Sequence, residues 1–316
     1  MKYFVLNIVV LSFVMVTQAQ TPRIKFQAPA FYPEGTVYNP QQGVFYIGSV
    51  KTGTIATVDK AGNFKEFYSE PALKSSFGMK VDSKSNSLWV CTGDPNYSDY
   101  SDSSTYKKRI HLIAIDLASA KKTKDVDLSN LFQGKHFAND LTMDAEGNIY
   151  ITDSYSPVIY KVDMTGKASV FAQSEWFKSV DIGLNGIVYH PKGYLLVVNN
   201  GDGSIMKVDI KSPSTISKVR IDNFFPGADG LLLDAQGNLI LVQNKSVDKA
   251  YQIVSTDNWQ SAKVKASTSS EDRFQNPSTC TMADGKLYLL NAKLNELQDP
   301  TMMPSREFSL QVAVWK

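Results

Sequence analysis

A short pattern occurs six times in this chain: a lead residue, an apolar run, a polar turn and a second apolar run. Its clearest copies span Asn139 to Tyr150, Asn185 to Leu196 and Asp229 to Ile240, with lead and last apolar residue eleven positions apart in each. The remaining leads are Glu34, Phe77 and Pro277, so four of the six leads carry a side-chain oxygen. Later in each copy come further β-rich runs, such as Val158 to Val162 and Ser204 to Val208, alternating as half-buried strands do. A repeat with a period in the forties, each unit a four-stranded meander, is the mark of a β-propeller. The chain is therefore expected to be all-β, a six-bladed β-propeller with four-stranded blades. Its last copy offers only three strands, and Arg23 to Gln27 is expected to supply the fourth, closing the ring without an open sheet edge.

With 43% hydrophobic and 20% charged residues among 316, the chain can bury a large core and lacks the signature of disorder. Residues 20–316 are expected to form one domain, because a closed propeller folds as a unit. A net charge of +2, with no basic stretch interleaved by aromatics, argues against nucleic acid as a partner. Met1-Lys2, the apolar stretch Tyr3 to Val16 and the small residues ending at Ala19 read as a secretory signal peptide over residues 1–19, with cleavage after Ala19. That stretch is shorter than the roughly 20 residues of a spanning helix, so a secreted or periplasmic protein without a membrane anchor is expected. The two cysteines, Cys91 and Cys280, fall in distant blades among apolar residues and read as buried, unbridged thiols.

In a propeller the first strand of each blade lines the central channel, so equivalent residues converge at one height. The six leads, Glu34, Phe77, Asn139, Asn185, Asp229 and Pro277, are then a ring containing two carboxylates and two carboxamides. Glu34, Asn139, Asn185 and Asp229 form a hard-oxygen set that suits Ca2+. Zn2+, which prefers nitrogen or sulfur, or another divalent cation is the alternative. The competing reading is that Asn-Gly and Asp-Gly are turn dipeptides that merely enter each first strand. Asp153, Asn199, Asn200 and Asn244 follow second strands and are candidates either for substrate contact, Asp153 and Asn200 foremost, or for turn capping. His111, His136 and His190 share no repeat position and read as surface or core-edge residues. An insertion from Gly93 to Lys108, carrying Tyr97, Tyr100 and Tyr106, is expected to lie over one face, where it could act as a lid.

The segments Pro33-Glu34-Gly35, Asn139-Asp140-Leu141 with Gly147 to Ser154, Leu184-Asn185-Gly186 and Ala228-Asp229-Gly230 resemble the senescence marker protein (regucalcin) and gluconolactonase family of calcium-dependent lactone hydrolases. The resemblance implies that Glu34, Asn185 and Asp229 hold the metal and that Asn139 lies at the metal or its substrate. It implies a small-molecule lactone or ester as substrate, with Asp229 activating water. The chain departs from that family at Phe137, where a substrate-contacting Arg stands two residues before the third-blade Asn, and the His pair of paraoxonase-type enzymes has no counterpart. Two other functions compete: a non-catalytic secreted propeller that binds a ligand, glycan or protein, and a metal-free propeller of the strictosidine-synthase kind.

Overall fold

The computed structural model describes residues 21–245 and 247–316. The expected signal peptide and its cleavage point lie outside the described residues, and no helix among the described residues is long and apolar enough to cross a membrane.

Six four-stranded antiparallel sheets surround a common axis. The first strands of blades one to six are Pro33–Asn39, Ser75–Asp82, Ala138–Met143, Leu184–His190, Ala228–Leu233 and Pro277–Ala283. Each neighbours the first strand of the next blade around the channel. The first hairpins of blades one, three, four and five turn on Gly43, Gly147, Gly193 and Gly237, all at positive φ, where a side chain would be strained. Arg23–Gln27 pairs with Glu307–Val312, so the N-terminal strand completes blade six as the repeat requires. Phe26 and Phe308 pack in the core at this seam, ring centroids 6.3 Å apart.

The core lies between blades. Tyr46 and Ile55 of blade one meet Met79, Leu88 and Ile113 of blade two, and Tyr150 and Ile159 of blade three meet Leu195 and Val197 of blade four. Both faces of each sheet are thus covered by a neighbour, which accounts for the near-continuous apolar runs of the second strands.

Every first strand carries an irregularity at the same place, just where the lead residue and its successor stand. It decides the meaning of the Asn-Gly and Asp-Gly pairs. Gly186 and Gly230 lie inside strands rather than in turns, and a Cβ on Gly186 would stand 2.3 Å from the Asp229 carbonyl oxygen. A Cβ added to Gly35 would likewise stand only 2.0 Å from the Phe77 carbonyl oxygen of the next blade. The glycine is there so that adjacent first strands can touch, and the bulge turns the preceding side chain into the channel.

The register corrects one ring member. Pro277 pairs with Asn291 as Ala228 pairs with Gln243, each one residue before the irregularity. Ser278, not Pro277, is therefore the equivalent of Asp229. Its hydroxyl donates to the Glu34 backbone carbonyl at 2.6 Å and so joins blade six to blade one.

Candidate functional site

Glu34, Asn139, Asn185 and Asp229, from four different blades, line one cavity of about 830 Å3 at the end of the channel. They also line a second cavity of about 180 Å3 that continues down the channel between the first strands. The four side chains thus form a partition across the axis, and each is only 3% to 7% exposed.

Their hydrogen bonding is incomplete in a telling way. Asn139 donates its Nδ2 to the Ser154 hydroxyl at 2.9 Å, and Ser154 in turn donates to the Leu184 carbonyl. That chain fixes the amide so that its Oδ1 is presented without a donor, and this oxygen is buried with no partner. Glu34 Oε2 is buried and unpartnered as well. Asn244 donates its Nδ2 to Asp229 Oδ2. Buried polar oxygens are normally paired, because leaving one unpaired costs roughly 1–3 kcal/mol. Two such oxygens, on the ring residues of blades one and three and beside a further carboxylate, are donors that could hold a cation.

The electrostatics agree. Burial pushes the Glu34 carboxyl far above the usual range, and the charges of Asp229 and Asp140 push it further. Burial likewise raises Asp229 to about 8, with Asp140 adding to the rise and the Asn244 and Asn185 amides opposing it. Two carboxylates in one dry site repel each other, so without a cation the pair retains a proton. A divalent ion removes that penalty, and oxygen donors of this kind suit Ca2+. Among the described residues no three His, Cys, Asp or Glu side chains gather as metal ligands, so any cation here must draw on the amide oxygens too.

Below the partition stand two ionisable groups that the repeat pattern did not single out. Asp140 occupies the slot that is glycine in blades one, two, four and five, and it accepts from the backbone N–H of Leu141 at 2.8 Å and of Ile187 at 3.3 Å. Where a glycine would let the strands touch, this carboxylate bridges them. Burial raises it to about 6, and Lys80, also lining the lower cavity, opposes the rise. The signal was present in the sequence as Asn139-Asp140 in place of a residue-Gly pair.

Of the proposed substrate contacts, Asn139 and Asn200 line the larger cavity and Asp153 does not. Asp153 is fully buried, and its oxygens accept from the backbone N–H groups of Phe137, Tyr155 and Ser156 and from the Tyr160 hydroxyl, with His136 Nδ1 at 2.8 Å. It organises the turn after the strand rather than meeting a ligand. His136, only 2% exposed, is correspondingly a core residue and not a surface one. Asp153→Asn is expected to destabilise the fold by about 2 kcal/mol, the cost of a buried charged acceptor losing part of its donor set, as read by denaturant unfolding. Asn199 is likewise structural, donating to the carbonyls of Trp176 and Lys178.

The insertion after the second strand of blade two forms a wall. Its Asp99 N–H donates to the Lys51 carbonyl at 2.8 Å, its Ser98 hydroxyl to the Lys74 carbonyl at 2.7 Å, and the His136 N–H to the Lys107 carbonyl at 2.9 Å. These ties hold Asn96, Tyr97 and Lys107 against the cavity. Burial raises the Tyr97 phenol to about 12, with the charges of Asp181, Asp229 and Glu34 adding to the rise, so it carries its proton at neutral pH. Cys91 and Cys280 are buried free thiols, both raised by desolvation and unsuited to nucleophilic work.

No family model and no curated protein sequence matches the chain. Likeness appears in solved structures. The allergen Mala s 1 of Malassezia sympodialis superposes with a TM-score of 0.75 at 18% identity, over 94% of this chain and 97% of that one. A luciferin-regenerating enzyme gives 0.61 at 13% identity over 92% and 97%. A protein that bears a provisional gluconolactonase name gives 0.60 at 16% identity over 94% and 93%. At such identities the fold is what is shared. A fold alone does not carry a function, which has to be read from the site.

Proposed function

We propose that this chain is a divalent-cation-dependent hydrolase of a lactone or related ester, with Ca2+ as the cation. The observation that carries the reading is the pair of unpartnered buried oxygens, Glu34 Oε2 and Asn139 Oδ1, beside Asp229 at the floor of one cavity. Glu34, Asn139, Asn185 and Asp229 would hold the ion, whose bound form supplies Lewis-acid polarisation of a carbonyl and stabilisation of developing negative charge. The Glu34 carboxylate, with its Oε2 unpartnered, would bring charge as well as oxygen to the ion, while the two amides add oxygen without neutralising the site. Resemblance to the gluconolactonase family supports the same four residues.

Asp229 is the base. Its site favours proton uptake, the property a general base needs near neutral pH, and Asn244 fixes one of its oxygens so that the other can face the substrate. In the reaction a water proton passes to Asp229 as the water oxygen bonds to the acyl carbon. The ester C–O bond then breaks, and that proton leaves with the alcohol oxygen. Tyr97, with its phenolic proton in place, narrows the cavity above the carboxylates and limits the entry of further water.

A second reading, a propeller that binds a ligand without transforming it, draws on the aromatic and carboxamide lining of the larger cavity, which serves binding as well as turnover. One experiment separates the two. A panel of lactones and esters is incubated with the protein alone, with chelator, and with chelator followed by excess Ca2+. Hydrolysis that falls to the uncatalysed rate and then returns supports the hydrolase, and hydrolysis indifferent to chelation removes it.

A further inference from the structure

The cavity above the four-residue partition has two unlike sides. Over blades two and three its wall is aromatic: Phe77, Phe137 and Tyr155 run in sequence, with ring centroids 4.6 Å and 5.6 Å apart, and Tyr97 joins them from the insertion. Tyr97 and Tyr155 are only partly buried and rest on the main core cluster. Core packing alone therefore does not use up their surfaces. Lys107 closes this wall, its Nζ 5.1 Å from the centroid of the Tyr155 ring. Over blades four to six the lining is rich in carboxamides, Asn200, Asn244, Asn276 and Asn295 among them.

Two further observations narrow the ligand. The ring position of blade two is Phe77, so a ligand hydroxyl lying against the partition there would lose its water to an apolar ring. The charged residues lining the cavity are Lys107 and Lys245 against Glu34, Asp181, Asp229 and Asp248. A bound divalent cation balances that set, leaving no excess charge to attract an ionic ligand.

We infer that the ligand is an uncharged lactone or ester bearing an aryl substituent, which lies against Phe77, Phe137, Tyr155 and Tyr97 while the acyl group faces Glu34 and Asp229. The inference rests on the hydrolase reading for the acyl group, and on its cation for the ligand's lack of charge. The aromatic wall stands independently of it. A cavity of about 830 Å3 accommodates such a molecule. A polyhydroxylated sugar lactone would desolvate its hydroxyls against four rings and is disfavoured.

The test uses five-membered lactones that differ in one ring substituent, from hydrogen through methyl and cyclohexyl to phenyl, with a polyhydroxylated lactone alongside, on the Ca2+-loaded protein. The matching lactams, which resist hydrolysis, are titrated calorimetrically. Phenyl is expected to exceed hydrogen by roughly 30-fold in kcat/KM and in lactam affinity, the worth of one buried aromatic ring. Tyr97→Ser and Tyr155→Ser should each reduce that ratio severalfold, and the wild-type series decides the matter if either variant fails to fold. A phenyl-to-hydrogen ratio within threefold in both assays, or preference for the polyhydroxylated lactone, overturns the inference. Lactam selectivity with no lactone turned over keeps the aromatic wall and removes the hydrolase; turnover blind to the substituent does the reverse.

Discussion

Asp229→Asn is expected to lower kcat/KM on any lactone the protein hydrolyses by about a thousandfold, in the middle of the range for loss of a general base, while the fold survives or gains stability. Both halves come from one fact. Asp229 is a desolvated carboxylate beside Glu34, a placement unfavourable to the empty protein. An amide of the same shape removes the repulsion and can still accept from Asn244, so melting of the chelated variant should occur at or above the wild-type temperature. Activity and stability moving in opposite directions is what a functional group held at a cost predicts. A variant that loses both is a folding defect, and one that keeps turnover within tenfold of wild type shows that Asp229 is not the base.

The fold was legible because its unit is written six times, and the closing strand Arg23–Gln27 could be inferred from the one unit that lacked it. The site was legible as far as the repeat carried it. Asn185-Gly186 and Asp229-Gly230 admit a turn or a channel position equally well from their own composition. The choice is made by the neighbouring blade, more than forty residues away in each case, pressing against the glycine. Where the unit drifts, the reading drifts with it: Ser278-Thr279 replaces the Asp-Gly pair, and the lead was placed one residue early, on Pro277.

Asp153 shows a different limit. A carboxylate at the end of a second strand has the same local sequence logic whether it meets substrate or caps a turn. His136, Phe137 and Tyr160 claim it from elsewhere in blade three, and only the assembled blade places those donors. Asn244 illustrates the converse. From sequence it is either a substrate contact or a turn cap, yet it donates to Asp229, because like Asn200 it stands one residue beyond the last register partner of its blade's first strand and so faces the cavity.

Ca2+ affinity is expected to climb with pH between 5 and 8 and to level off above 8, by about tenfold per unit for each proton displaced. The sign follows from Asp229. Its carboxyl lies at about 8 in the folded protein against an ordinary value of 3.8. Between those values the folded, cation-free protein keeps a proton that the unfolded chain has released. Its contribution to stability is therefore greatest at the acid end of that window and declines as pH rises through it. Ca2+ must expel that proton, so binding is penalised at pH 5 and unpenalised once the carboxyl is ionised. Near pH 8 an ion present at a hundred times its Kd should add about 2.7 kcal/mol, or roughly 5 °C in Tm for a domain of this size, and much less at pH 5. Calorimetric titration in buffers of different ionisation enthalpy counts the protons directly, and Glu34→Gln, which removes one member of the carboxyl pair, should flatten the slope as well as weaken binding. An affinity unchanged from pH 5 to 8 would mean that the ion, if bound at all, sits away from these carboxylates, and the metal centre proposed for this channel would have to be abandoned.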